Sequence, residues 1–192
     1  MKQAISIQGA TRTDFGKSAS KQMRNAGKIP CVLYGGEDLV HFTTTPADVR
    51  HLIYTPDLVL AEVTVEGQMH RCLVKEVQYH PVSDKILHID FQKLVKGSPI
   101  KVEVPLRLVG SAKGVKSGGK LLQKVRRVKI KAMPENMVDE LSVDVSDLDL
   151  GQSIRVRDIK AVSGIEILPP PGTPVASIEI PRALRGAAAD KK

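Results

Sequence analysis

The chain has no tryptophan, three phenylalanines, three tyrosines and two cysteines in 192 residues. Each scarcity removes a class of explanation. So few rings argue against a reader of single-stranded RNA that stacks successive bases on an aromatic platform. Cys31 and Cys72 each lie in an apolar run, Pro30-Cys31-Val32-Leu33-Tyr34 and Arg71-Cys72-Leu73-Val74. With no C-x-x-C pair, neither a zinc knuckle nor a redox motif is supported, and buried free thiols are the expectation. Long hydrophobic runs are missing too: none approaches the ~18 residues of a membrane span. Lys2, Gln3 and Gln8 interrupt the start, so no apolar leader core forms there. A soluble, cytoplasmic chain with no membrane contact is expected.

What is present is aliphatic and basic. Hydrophobic residues make up 42% of the chain, mostly Val, Ile, Leu and Ala. That β-branched bias favours strands over a helical bundle. The formal net charge is +8 and the isoelectric point about 9.5. Acidic residues are locally scarce. Residues 1–30 hold six bases and one acid, Asp14; residues 96–131 hold eleven bases and one acid, Glu103. Two such clusters are the footprint of a polyanion partner, although a charged, solvated surface would look the same.

Hydrophobic periodicity predicts a mainly β chain in two domains. In residues 1–95, strands are expected at Ala4–Ile7, Cys31–Tyr34, Val40–Thr44, Leu58–Val65, His70–Gln78 and Ile86–Phe91, with a loop over Gly9–Gly16. A short basic helix is expected over Lys17–Ala26, with Ser18 as N-cap and Gly27 just past its end. It would put Lys17, Lys21, Arg24 and Lys28 on one face and Ala19, Met23 and Ala26 opposite. A second helix, Ala47–Ile53, has Pro46 at its first position and Thr45 as N-cap. Several strands with one or two short helices suit a small β-barrel. Gly97-Ser98-Pro99 marks the boundary to a second, all-β domain over residues 96–182. Its strands are expected at Ile100–Leu108, Leu121–Met133, Leu141–Val145, Ile154–Val156, Ile165–Leu168 and Val175–Ile180, with a basic loop over Gly110–Gly119. Residues 183–192 read as a disordered tail.

Two segments could carry function. Gly9–Gly36 gathers Arg12, Lys17, Ser20, Lys21 and Arg24, then delivers Tyr34, Gly35 and Gly36. Phosphates need such charges and donors, and glycine admits a close backbone approach. A charged loop followed by an ordinary turn is the plain alternative. In Gln78–Asp90, His88 and Asp90 share one face of a strand, with Leu87, Ile89 and Phe91 on the other. Such a polar face could meet ribose hydroxyls or base edges in a shallow RNA minor groove. His80, His88 and Asp90 could instead ligate a metal, but lack a zinc-type spacing. A catalytic His88–Asp90 pair would need a nucleophile motif that the chain does not offer.

The runs Lys17-Ser-Ala-Ser-Lys-Gln-Met-Arg24, Gly27-Lys-Ile-Pro30, Tyr34-Gly35-Gly36, Val77-Gln78, His80-Pro81 and His88-Ile-Asp-Phe91 occur in this order. Val104-Pro105-Leu106, Gly114-Val-Lys116, Gly118-Gly119 and Asp144-Val-Ser-Asp-Leu148 follow them. Together they resemble the bacterial large-subunit ribosomal protein twenty-five family in its long form, also called general stress protein CTC. The resemblance covers nearly everything but the tail. It implies a non-catalytic ribosome component, without cofactor or metal, monomeric within the ribosome. Its N-terminal barrel would bind 5S ribosomal RNA at the loop E region, and ribosomal RNA and proteins of the large subunit would be its neighbours. Carried onto matching positions, the RNA-binding set is Arg12, Lys17, Ser20, Lys21, Arg24, Tyr34, Gly35, Gln78, His88 and Asp90. Gln22 and Tyr79 depart from the family, which often carries arginine at both places; fewer phosphate contacts are expected in consequence. The competing reading is a stress-induced module whose basic surface meets acidic proteins, with a metal-dependent hydrolase well behind. The second domain is expected to add auxiliary contacts to RNA or to ribosomal proteins.

Overall fold

The computed structural model describes residues 4–36, 38–160 and 163–181. They form two compact units. The first runs to Ile100 and includes Met133–Met137; the second holds Lys101–Ala132 and the chain from Val138 onward.

In the first unit the order is β1 (Ile5–Thr11), α1 (Lys17–Asn25), β2 (Ile29–Tyr34), β3 (Val40–Thr44), α2 (Pro46–Ile53), β4 (Ala61–Val65), β5 (Gln68–Tyr79) and β6 (Ile86–Lys93). The strands close into a barrel in the order β1-β3-β2-β6-β5-β4, sealed by parallel pairing of β4 with β1. Alternation decides what fills it. Cys31 and Leu33 from β2, Val63 from β4, and Ile89 and Phe91 from β6 point inward and are fully buried, with Phe42 and Phe91 in ring contact at 5.5 Å. The partners of Ile89 and Phe91 along β6, namely His88, Asp90 and Gln92, are left on the outer wall.

Local chemistry accounts for most boundaries. Thr45 caps α2 by accepting from the Asp48 N–H, and Pro46 occupies the first turn. The start of α1 corrects the expected cap: Ser18 lies inside the helix, and Gly16 precedes it with no side-chain cap. Gly27 does stand just past its end, at φ 74°. β1 is longer than expected, and absorbs the first three residues of the presumed Gly9–Gly16 loop. Gly9 sits in the strand because a β-carbon there would lie 2.7 Å from the Phe42 ring.

The second unit takes β7 (Ile100–Val109), α3 (Lys113–Lys116), β8 (Lys120–Gln123), β9 (Arg127–Ala132), β10 (Leu141–Asp144), β11 (Ser153–Arg155), β12 (Ile165–Ile167) and β13 (Pro174–Glu179). They form a four-stranded sheet, β10-β7-β9-β12, and a three-stranded sheet, β11-β13-β8. Two expectations are corrected. The single long strand Leu121–Met133 is two strands in different sheets. The backbone N–H groups of Lys124 and Val125 both donate to the Val175 carbonyl, and the Gln123 amide donates to Leu106 and Val125 carbonyls, which turns the chain between sheets. The basic loop holds one helical turn, α3. The expected tail, 183–192, lies outside the described residues.

Candidate nucleic-acid interface

The outer wall of the barrel over β2, β6 and β5 is a small grid fixed by register. Gln78 stands opposite His88, Glu76 opposite Asp90, Val32 beside Asp90 and Tyr34 beside Gln92. Within the grid, His88 Nδ1 lies 2.7 Å from Asp90 Oδ1, both side chains being partly exposed. That contact takes the Nδ1–H and leaves Nε2 to meet a partner in solvent. Tyr34 keeps its proton: burial, then Asp90 and then Glu76, raise its pKa above the ordinary phenol value. The wall therefore offers a phenol donor, a carboxylate acceptor, an amide and an imidazole nitrogen. Such a mixture suits base edges and ribose hydroxyls better than phosphate alone.

Helix α1 packs against β2 and supplies the cations. Lys17, Lys21 and Arg24 are exposed on it. Arg24 reaches the wall directly: its Nε donates to the Leu87 carbonyl at 3.1 Å, next to His88, and its Nη groups remain as donors. Arg12, just beyond β1, is tied down instead. Its Nε donates to the Asp14 carbonyl at 2.7 Å and its Nη2 to Ser20 Oγ at 3.0 Å. Arg12 and Ser20 thus hold the loop before α1 in one shape.

The ten residues expected from the sequence do not all meet. Gln78, His88 and Asp90 share the wall with Tyr34, and Arg24 joins it at His88. Gly35 (φ 96°) lies at the far end of β2, beside Lys93. His88 and Gln92 are four positions apart on one strand, about 13 Å at the usual rise. Gly35 opens onto a different feature, an open depression of about 590 Å³ that Gly36, His70, Lys93 and Lys96 also line. Burial and the charge of Lys93 lower the pKa of His70 there. Sequence reasoning missed Glu76. The pairing of β5 with β6 is irregular between Val74 and Glu76, so Glu76 rather than Lys75 stands opposite Asp90. It also missed Phe15, an exposed ring on the Arg12 loop.

His80, the third member of the alternative metal set, is engaged in its own turn, where its Nδ1 accepts from the Val82 and Ser83 N–H groups. Among the described residues, no three His, Cys, Asp or Glu side chains are grouped to hold a metal ion. Both thiols are buried, and burial is the main cause that raises their pKa values, that of Cys72 to about 12.

The second unit is basic in a more selective way than its composition suggests. Arg107, Lys113, Lys129 and Lys131 are ion-paired with Glu140, Asp147, Glu103 and Glu166. Lys116, Lys120, Lys124, Arg126 and Arg127 are exposed and form no ion pair among the described residues.

Comparison with known proteins agrees across both units. Residues 7–91 match the Ribosomal L25p family, and residues 99–182 match the C-terminal domain of ribosomal protein TL5. The chain is 45% identical over 186 residues to the large ribosomal subunit protein bL25 of Amoebophilus asiaticus, covering 97% of this chain and 94% of that one. Proteins of the same name from Bacteroides fragilis and Porphyromonas gingivalis are 40% and 42% identical, each match covering 97% of both chains. The chain belongs to the bL25 family of large ribosomal subunit proteins, in the long form that carries a TL5-type domain after the L25p domain.

Proposed function

We propose that this protein is a structural constituent of the large ribosomal subunit whose N-terminal domain, residues 1–95, binds 5S ribosomal RNA at its loop E region. Its family is a structural, non-enzymatic one that works on the ribosome in the bacterial cytoplasm. The observation that carries the RNA reading is the juxtaposition of the His88–Asp90 pair with Arg24 on a wall that also presents Gln78 and Tyr34. Lys17, Lys21 and Arg24 contact phosphates and set position. Arg12 and Ser20 shape the loop between them. His88, Asp90, Gln78 and Tyr34 read hydroxyls and base edges across a wide minor groove, and Gly35 lets the chain approach closely at the far end. The second domain, residues 96–182, adds contacts to large-subunit RNA.

The test is a titration of the full chain against 5S ribosomal RNA and a length-matched scrambled RNA at two salt concentrations. A preference for 5S RNA is expected at both. His88→Ala should reduce that preference, whereas Lys21→Gln should weaken both RNAs alike and lower the salt slope by about 0.7–0.9. Equal binding to both RNAs that vanishes at the higher salt would leave only a generic polyanion surface.

A further inference from the structure

We propose that Phe15 is a stacking platform for one unpaired nucleobase of the bound RNA, a proposal that rests on the RNA-binding reading of the neighbouring wall. Of the three phenylalanines, Phe42 and Phe91 are fully buried in the barrel core, while Phe15 is 60% exposed. An exposed phenyl ring gains little from the fold, yet this one is held in place from two sides. The Arg12 guanidinium lies over it, 5.3 Å from the ring centroid. The His41 imidazole and the ring form a T-shaped pair, with centroids 4.9 Å apart and planes at 75°. Arg12 is itself fixed by the Asp14 carbonyl and by Ser20. The ring is therefore oriented before any ligand arrives, so little side-chain freedom is lost on contact.

Its surroundings select the ligand. Gly16 separates Phe15 from Lys17, the exposed first residue of α1, and Lys21 follows one turn later. An exposed ring followed in the chain by two exposed lysines matches a nucleotide, whose base has a π face and whose phosphate is an anion. Arg12, already bonded to the loop, keeps a cation against the ring itself. One ring accommodates one base, so the platform is compatible with an aromatic-poor chain that otherwise reads shape.

The test uses the full chain and 5S ribosomal RNA. Since the protein has no tryptophan, F15W introduces a single reporter. Its emission should be quenched in step with RNA binding. F15W and F15Y should bind like the parent, and F15L, apolar but without a π face, should bind about five- to a hundred-fold more weakly. Full affinity of F15L, or unchanged F15W emission in the bound state, overturns the platform. H88A, measured in parallel, separates the two ideas. If H88A loses preference for 5S RNA while F15L binds normally, only the platform falls. If the parent shows no preference for 5S RNA at all, the RNA reading falls with it. The thermal midpoint of F15L should equal that of the parent, because most of the ring is in solvent.

Discussion

At the scale of single residues, the candidate site separates groups left open to a ligand from groups that hold others. Arg24 lies on α1 and Arg12 on the loop before it, yet only Arg24 keeps most of its guanidinium for a ligand. The two thiols lead to a pH prediction. In the folded chain their pKa values lie above the ordinary 9.0, that of Cys72 at about 12. Below pH 9 they are neutral in both states and stability is unaffected by them. Above it the unfolded chain releases protons that the folded chain retains, so stability falls as pH rises, by about 1.4 kcal/mol per pH unit for each thiol. Tyr34, also raised, acts in the same direction above its own ordinary value of 10.0. Urea midpoints measured from pH 7 to 10.5 should drop less steeply in a Cys31→Ala, Cys72→Ala variant; an unchanged slope would mean the thiols ionise in the fold. Sequence alone exposed His88 and Asp90, because strand alternation puts residues two apart on one face. It could not expose Glu76 or the Arg24–Leu87 contact, since both depend on which strand lies alongside and on an irregular register.

At the scale of elements, the fold was most legible where a local chemical signal sets a boundary. Thr45-Pro46 announces α2, and the alternation of Val63, Cys72, Ile89 and Phe91 announces the barrel core. Two of the misreadings share one cause: a local reading is overridden by packing. Gly9 reads as loop but is the only side chain small enough beneath Phe42 and Val65. Gly9→Ala should therefore destabilise the first unit, by about 1–3 kcal/mol, because Phe42 is fully buried against Phe91 and cannot retreat. Chemical denaturation would measure it, and a loss below a few tenths of a kcal/mol would show that the ring yields. The β8–β9 segment reads as one strand since every residue from Leu121 to Met133 tolerates an extended backbone. Its break is imposed from outside, by Val175. The faint trace in the sequence is that both faces carry base at Lys124, Arg126 and Arg127, a pattern no half-buried strand would show.

At the scale of the whole molecule, net charge is a poor guide to where a polyanion would lie. Most of the surplus base falls in residues 96–131, but part of it is neutralised within the unit. The available positive charge is narrower: Lys116, Lys120, Lys124, Arg126 and Arg127. Changing Lys120, Lys124, Arg126 and Arg127 together to Gln should lower the salt slope of RNA binding by about 3–4. Changing the ion-paired Lys129 and Lys131 should alter it far less, and would strand Glu103 and Glu166. Equal effects of the two sets, measured on large-subunit RNA with the full chain, would show that bulk charge rather than free charge governs the contact.

Closure of the barrel has a consequence of another kind. Each strand of the first unit has a neighbour on both sides of the barrel, and where both are paired its main chain has no open donors and acceptors to lend; β5 beyond Cys72 and β6 before Ile89 are paired on one side only. Along the doubly paired stretches two copies meeting by chance cannot extend one another's sheet, and an extended peptide finds no seam to join. Over those stretches the chain is protected from its own kind by topology, before charge repulsion is counted.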